Sequence, residues 1–438
     1  MLSQGGGGGM LKGKGGIRWW IISLVMLGTV INYLTRSVLS VAAPTMMASL
    51  HMSEQNYGVI TGVFQFGIML QPVAGYMLDL TGLRLGLTLF AIAWGLVTMA
   101  HALAGNWQGL AFLRGLQGFA EGIAQPGGLK VVAEWFPARE RGFASGIYNI
   151  GASAGSILAP PLVAWAILSY NWQAAFIISG GLALIWALAW FFGYQTPDRH
   201  KHLSGAERAY IRAGQNVGQD AIGQTQPAVM VQKPSPLRIL RQRNFWGMAI
   251  ARFLADPTWS TLVFWVPLYL STARGFDLKH IALFAWLPFV AADLGCLFGP
   301  ALALWLQNRG VSLINARRGA FTIGACMMLC VPFVGLVASP YMAIALLCVG
   351  AFAHQTLSVN VITLASDLFA PHEVATVAGM VGTVANLGAL LMSVAMGFLV
   401  AKTGYGPFFM LIGGLDLIGA AWLWLMIRPV AAATERHP

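Results

Sequence analysis

The chain has 438 residues, 57% of them hydrophobic and only 9% charged, with a formal net charge of +11 and a mean hydropathy of +0.68. Soluble proteins carry about 25% charged residues, so these charges are too few to cover a water-facing surface. This excludes an ordinary cytosolic enzyme, a disordered regulator and the usual kind of nucleic-acid binder.

Residues 1–18 are Gly-rich, with Gly5 to Gly9 in a run and basic Lys12, Lys14 and Arg18. They read as a flexible cytoplasmic tail. The apolar stretch that follows is too long for a signal peptide's core, and no small-residue cleavage site closes it. A helix needs about 20 apolar residues to cross a bilayer. Twelve such stretches follow, near 19–42, 57–79, 84–104, 107–130, 142–168, 172–195, 245–271, 280–306, 317–338, 341–366, 373–401 and 406–427. Continuous apolar runs without alternation exclude a β-barrel.

The polar segment 196–244 separates the sixth stretch from the seventh. It holds Glu207, Arg208, Tyr210 and Arg212 in a possible amphipathic helix, then the Pro-bounded stretch from Lys233 to Arg238. The expected fold is an all-α membrane protein with 12 transmembrane helices in two pseudo-symmetric six-helix bundles, 19–195 and 245–427. Residues 196–244 form a cytoplasmic linker between them, and 428–438 a second tail.

Lys and Arg set the orientation. With the N-terminus inside, twenty of them fall in cytoplasmic segments. Only Arg274, Lys279 and Lys402 fall outside, and Arg36, Arg114 and Arg252 lie within spans. Both termini are therefore expected in the cytoplasm. A weak internal echo supports duplication. Gly75-Tyr-Met-Leu-Asp79-Leu-Thr-Gly82-Leu-Arg84 closes the second stretch, and a run from Gly299 to Gly310 closes the eighth without the Asp. A duplicated six-helix half with a site between the halves is a common layout of secondary transporters.

Cys296, Cys326, Cys330 and Cys348 all lie in apolar segments, which argues against a disulfide framework. Cys326 and Cys330, one turn apart, read as packing residues rather than metal ligands. No metal or cofactor is expected. The chain has no Walker loop, no HExxH and no GxSxG elbow, so ATP-driven pumping and the commonest hydrolytic sites are unsupported. A channel would need a selectivity ring or filter. A pseudo-duplicated 6+6 chain does not, and is expected to work as a monomer within the lipid bilayer.

An ionisable group inside a span costs about 2.5–3.5 kcal/mol on insertion scales, so each one is a functional candidate. The candidates are Arg36, Arg114, Glu121, Arg252, Asp256, Asp293 and Asp416. At 1.5 Å rise per residue, Arg36 lies roughly 25 Å above Trp19 and Arg114 roughly 24 Å above Lys130. The two arginines thus reach a similar level, where their planar forks can clamp a carboxylate. Glu121 lies two turns from Arg114 on the same face, near the midplane. Burial favours its neutral acid and a nearby Arg its carboxylate, so its protonation can depend on whether substrate has taken the Arg. That exchange is a basis for coupling proton and anion. The other reading is a permanent Arg114–Glu121 structural pair. Arg252 and Asp256, four residues apart, read equally as a structural pair or as cavity-lining groups. Asp293 and Asp416 read as packing groups.

Tyr33, Gln65, Gln71, Gln125, Asn149, Trp259, His354, Gln355, Asn360 and Asn386 can bond hydroxyls, though each singly reads as interhelical glue. Gly146, Gly151 and Gly155 read as close-packing positions.

The Gly75–Arg84 run resembles the loop 2–3 signature of the major facilitator superfamily. Asn32-Tyr-Leu-Thr-Arg36, Arg114-Gly-Leu-Gln-Gly-Phe-Ala-Glu121, the stretch Ala133–Arg141 and Tyr148-Asn-Ile-Gly151 resemble its anion:cation symporter family. The chain looks most like the bacterial hexuronate transporters. The points of likeness are Gln71–Tyr76, Ala159–Pro161, Trp172–Gly180, Arg252–Trp259 and Gly350–Gln355. The resemblance implies proton-driven import of D-galacturonate and D-glucuronate across the bacterial inner membrane. By motif match, Arg36 would hold the substrate carboxylate, and Arg114 and Glu121 would form the charge-relay pair. Asp256 is a possible second carrier. Asn386 would meet sugar hydroxyls; Tyr33, Trp259, His354 and Gln355 are further candidates by residue type alone. Gly75, Asp79, Gly82 and Arg84 would be the conformational motif. Many family members have Asp before the first-span Arg. Here it is Thr35, as in the hexuronate branch, which leaves the proton stoichiometry open. Other sugar acids (aldonates or aldarates), a different organic anion, and a non-transporting sugar-acid sensor are the competing readings.

Overall fold

The computed structural model describes residues 16–137, 140–212, 236–369 and 373–428. Asp79, Arg141, Gly142, Phe143, Ser145, Asn149 and Ala375 are described by their backbone alone. Most of the expected N-terminal tail, the centre of the linker and residues 429–438 lie outside the described residues.

The described chain is helical from end to end. The helices are α1 (Ile17–Ser49), α2 (Glu54–Met69), α3 (Gln71–Thr81), α4 (Leu83–Ala100), α5 (Trp107–Glu121), α6 (Ala124–Trp135), α7 (Arg141–Ser169) and α8 (Trp172–Gly193). A short linker helix α9 covers 205–212. Then come α10 (Pro236–Leu240), α11 (Arg243–Phe264), α12 (Val266–Thr272), α13 (Leu278–Phe284), α14 (Leu287–Asn308), α15 (Leu313–Met327), α16 (Pro340–Leu368), α17 (Val374–Thr403) and α18 (Gly406–Met426).

Among the described residues, nine helices are long and apolar enough to cross a membrane, and ten if the pair Glu54–Met69 and Gln71–Leu78, bent by 40°, counts as one. The expected stretches 107–130 and 245–271 do not meet that test. The first is α5 and α6, parted at Gly122 and Ile123; the second is α11 and α12, parted at Trp265. Proline explains both breaks. Pro126 and Pro267 have no N–H to return to the carbonyl four residues back. These two segments also carry Arg114, Glu121, Arg252 and Asp256, which lower their hydropathy.

Polar caps start several helices. Asn106, Asn171, Asp277 and Ser339 each accept a backbone N–H at the third helical residue, and Ser53 forms a capping box with Asn56. Gly82 and Gly310, at the two echoed motifs, both have positive φ, 75° and 87°, a backbone state that glycine adopts at little cost.

In the N-terminal part α1 packs on α7, α4 on α8 and α2 on α5; in the C-terminal part α14 and α15 pack on α16, and α11 on α17 and α18. The parts meet chiefly where α2 lies on α17, with smaller contacts of α7 on α13 and α14 and of α1 on α11 and α12. Small residues permit this approach. A Cβ on Gly58 would lie 2.7 Å from the Ser393 carbonyl, and one on Gly397 2.6 Å from that of Glu54. Tyr57 donates its hydroxyl to the Phe264 carbonyl at 2.5 Å, and Ser153 bonds Asp293 across the same divide. Asp293 is thus a bridge between the two parts.

Gly151 and Gly155 hold α7 against α1, with built Cβ atoms 2.6 and 2.2 Å from the Met26 and Val30 carbonyls. Gly146 departs from expectation, since nothing lies within 4 Å of its built Cβ. The outward faces carry exposed apolar side chains such as Phe112, Ile185, Phe192, Leu297 and Leu425. A surface of this kind suits a lipid environment. All four cysteines are free.

The start of the linker is docked rather than loose. Glu207 is fully buried and meets Arg18 at 3.4 Å, while Arg18 also meets Glu140 at 3.3 Å. Leu203 and Ile211 join the core of the N-terminal part.

The crossing of α2 on α5 is similarly tight. A Cβ on Gly67 would lie 2.3 Å from the Gly115 carbonyl, and one on Gly118 2.3 Å from that of Phe64. Gly118→Val is expected to destabilise the fold by about 1–3 kcal/mol through overpacking, read as a lowered melting temperature of purified protein. Gly146→Ala at its open position should leave that temperature unchanged.

Candidate functional site

Three helices bring the N-terminal charges together. α1 supplies Asn32, Tyr33, Thr35 and Arg36; α5 supplies Arg114, Gln117 and Glu121; α2 supplies Phe64. The glycine crossing of α2 and α5 makes the approach possible, and the Pro126 break leaves Glu121 as the last residue of α5.

Glu121 is 1% exposed and surrounded by donors. Its Oε1 accepts from Gln117 Nε2 at 2.7 Å and from the Thr35 hydroxyl at 3.1 Å. Its Oε2 accepts from Arg36 Nε at 3.3 Å, which makes an ion pair. Thr35 in turn accepts from the Trp94 indole N–H at 2.9 Å. Thr35 is therefore a neutral bridge between Trp94 and Glu121.

Arg114 is fully buried. It donates to Gln117 Oε1 at 2.9 Å and to the backbone carbonyl of Arg36 at 2.6 Å. It reaches Glu121 through Gln117, and the direct ion pair belongs to Arg36. Phe64 lies beneath both guanidinium groups, with its ring centroid 4.2 Å from Arg114 and 5.3 Å from Arg36. Tyr33 faces Arg36 at 4.6 Å. Such cation–π contacts partly replace lost hydration. The Arg36 side chain keeps 16% exposure, so of the two arginines it is the one a ligand can reach. With Glu121 ionised the cluster carries one excess positive charge, and with Glu121 protonated it carries two.

A second cluster lies on α11 and α16. Arg252 and Asp256 pair at 2.5 Å. Trp259 stacks on His354 at 6.3 Å between centroids, and its edge meets Phe289. Arg252 and Asp256 lie within electrostatic reach of the buried His354. Gln355 is half-buried on the same helix. Asn386 spends its amide N–H on the Gly382 carbonyl of its own helix, at 3.0 Å. No direct bond joins the two clusters among the described residues. Fully buried Asp416 has no hydrogen-bond partner for either carboxylate oxygen among those residues.

The expected conformational motif is only partly described. Gly82 makes the turn between α3 and α4, and Gly75 lies against Pro126. Arg84 donates to the Phe191 carbonyl at 2.8 Å and covers that residue's ring. The Asp79 side chain lies outside the described residues.

Sequence reasoning passed over Asn32, Phe64, Trp94 and Gln117 as members of the charged cluster. Gln117 was within reach: it is three residues after Arg114 and four before Glu121, hence on their face. Phe64 and Trp94 come from other helices, and no spacing announces them.

The Major Facilitator Superfamily profile matches residues 25–334. The chain belongs to the major facilitator superfamily. It is 46% identical to a hexuronate transporter of Escherichia coli (strain K12) over 427 residues, covering 96% of this chain and 97% of that one. It is 47% identical to a galacturonate transporter of Dickeya chrysanthemi over 339 residues, covering 77% and 96%. Its fold matches the crystal structure of a D-xylose–proton symporter with a TM-score of 0.73 at 16% identity, covering 94% and 98%. It is a multi-pass membrane transport protein and not an enzyme.

The Thr35 bridge makes a prediction. Thr35→Val keeps the shape but leaves the Trp94 N–H unpaired and takes a donor from Glu121. It is expected to cost about 1–3 kcal/mol of stability, the usual penalty for orphaned buried polar groups. Thr35→Ser should recover most of the melting temperature.

Proposed function

We propose that this protein is a proton-coupled symporter that imports hexuronates, D-galacturonate and D-glucuronate, across the bacterial inner membrane. It works as a monomer by alternating access, with twelve spans in two six-helix halves and both termini in the cytoplasm. The similarity to hexuronate and galacturonate transporters supports the substrate class. The observation that carries the mechanism is the Arg36–Glu121 ion pair in a buried site.

An ionised Glu121 occupies Arg36. Protonation neutralises Glu121 and releases the guanidinium for a substrate carboxylate, which a planar fork binds in bidentate fashion. Arg114, anchored on the Arg36 carbonyl and on Gln117, adds positive charge behind the site and fixes the backbone that bears Arg36. After the carboxylate leaves toward the cytoplasm, Arg36 draws the proton off Glu121 by stabilising its anion. Proton and anion therefore travel together, because the Glu121 and substrate carboxylates are alternatives at one guanidinium and the substrate can take it only when Glu121 takes a proton. Tyr33, Trp259, His354, Gln355 and Asn386 meet the sugar hydroxyls. Trp259 offers an apolar face to the ring. With Thr35 unable to carry a proton and Asp256 held by Arg252, one proton accompanies one monoanion, and uptake is electroneutral.

Labelled D-galacturonate uptake into proteoliposomes tests this reading. An inward proton gradient should drive accumulation, and unlabelled D-glucuronate should block it. Glu121→Gln should abolish gradient-driven accumulation yet retain counterflow, since exchange needs no proton release. Loss of counterflow in folded protein would instead assign Glu121 a binding or structural role.

A further inference from the structure

Glu121 faces Arg36 and its donors on one side and a cavity on the other. The cavity has about 30 Å³ of room for water. Thr29 and Asn32 of α1, Ala91 of α4, Ala120 and Glu121 of α5 and Ala124 of α6 form its walls, and two tryptophans of α8 close its floor. One buried water needs roughly 10–15 Å³ of such space and two to four polar partners.

The walls supply those partners. Asn32 is 1% exposed, and its Oδ1 is taken by Arg36 Nη2 at 3.3 Å. Its Nδ2 donor is buried without an acceptor among the described residues. The Glu121 carboxyl lines the same space, and the Thr29 hydroxyl, which donates to the Val25 carbonyl at 3.1 Å, keeps lone pairs free. The cavity runs from Asn32 down α1 to Val25, roughly 10 Å at 1.5 Å per residue, toward the Lys/Arg-rich end. The side of Glu121 that faces the substrate site is filled by Arg36, Thr35 and Gln117. The charged groups facing Glu121 are Arg36 from α1 and Arg114 on α5 itself; α2 and α4 bring none among the described residues.

We propose that this cavity is a water site, held by Asn32 and Glu121, through which Glu121 exchanges its proton on the face turned away from Arg36. The inference rests on the symport reading above and deepens it. The proton and the sugar acid reach the same ion pair from opposite faces. Water at Asn32 Nδ2 can pass a proton to or from a Glu121 oxygen while substrate occupies Arg36, so binding does not trap the proton behind the sugar.

Filling the cavity tests this. Ala124→Leu from the α6 wall and Ala91→Val from the α4 wall displace water without touching the charged cluster, and Ala124→Ser adds a hydroxyl while leaving room. Each is reconstituted and assayed for gradient-driven D-galacturonate uptake and for counterflow. The filling variants should slow gradient-driven uptake by about tenfold while counterflow stays within about twofold of wild type, and the Ser variant should match wild type in both. Either filling variant, if folded, suffices. Unchanged gradient-driven uptake, a parallel loss of both activities, or an equal loss in the Ser variant overturns the inference. Wild-type protein assayed alongside separates the two readings. Without wild-type counterflow the hexuronate reading falls and takes this inference with it. Wild-type transport with indifferent filling variants rejects the water site alone.

Discussion

The site is organised around one constraint: a carboxylate buried near the centre of a membrane protein needs a positive partner or a proton. Glu121 has Arg36 at 3.3 Å for the first. Isolated burial of either charge would cost several kcal/mol, so removing one partner leaves the other in an unfavourable state. A transporter can use that penalty. When a substrate carboxylate takes the arginine, the glutamate must take a proton, and the reverse holds on release. In the proposed symport, coupling follows from one guanidinium serving two anions.

The rest of the N-terminal part positions this pair. Gly67 and Gly118 let α2 approach α5 closely enough for Phe64 to lie under both arginines. Gly151 and Gly155 hold α1 on α7. Pro126 ends the hydrogen-bond ladder just after Glu121. Thr35 and Gln117 fix the orientation of the carboxylate. Arg114, anchored on a backbone carbonyl, serves as scaffold and as fixed charge. The contacts between the two parts gather near the start of α2, at Gly58 and Tyr57, and at the Ser153–Asp293 bond. These are the contacts that alternating access would have to break and remake.

Much of this was legible in the sequence. Long apolar stretches and sparse charge gave the membrane class, and the few buried ionisable groups pointed to Arg36, Arg114 and Glu121. Helical rise placed the two arginines at one level, where the structure joins Arg114 to the Arg36 backbone. The identity of the ion-paired arginine was not legible. Spacing favours Arg114 for Glu121, being two turns away on one helix, but α1 brings Arg36 nearer. Such a choice depends on helix rotation and on the glycine crossings, which no single-helix pattern encodes. The linker gave a partial lesson too: composition reads it as a basic tether, whereas Glu207 finds Arg18, far away in sequence, and docks its first part. Phe64 and Asn386 differ for the same reason. One is ordinary in sequence and central in space, and the other spends its donor within its own helix.

Whether the Glu121 carboxylate and the sugar acid compete for Arg36, so that a proton binds with the substrate, can be read by following proton uptake when D-galacturonate is added to purified protein in weak buffer. At a pH where Glu121 is ionised, each bound hexuronate should draw one proton from solution, and Glu121→Gln should bind substrate without this uptake. Saturable binding by the wild-type chain with no proton uptake across the pH range, or equal uptake by the Gln variant, would contradict it.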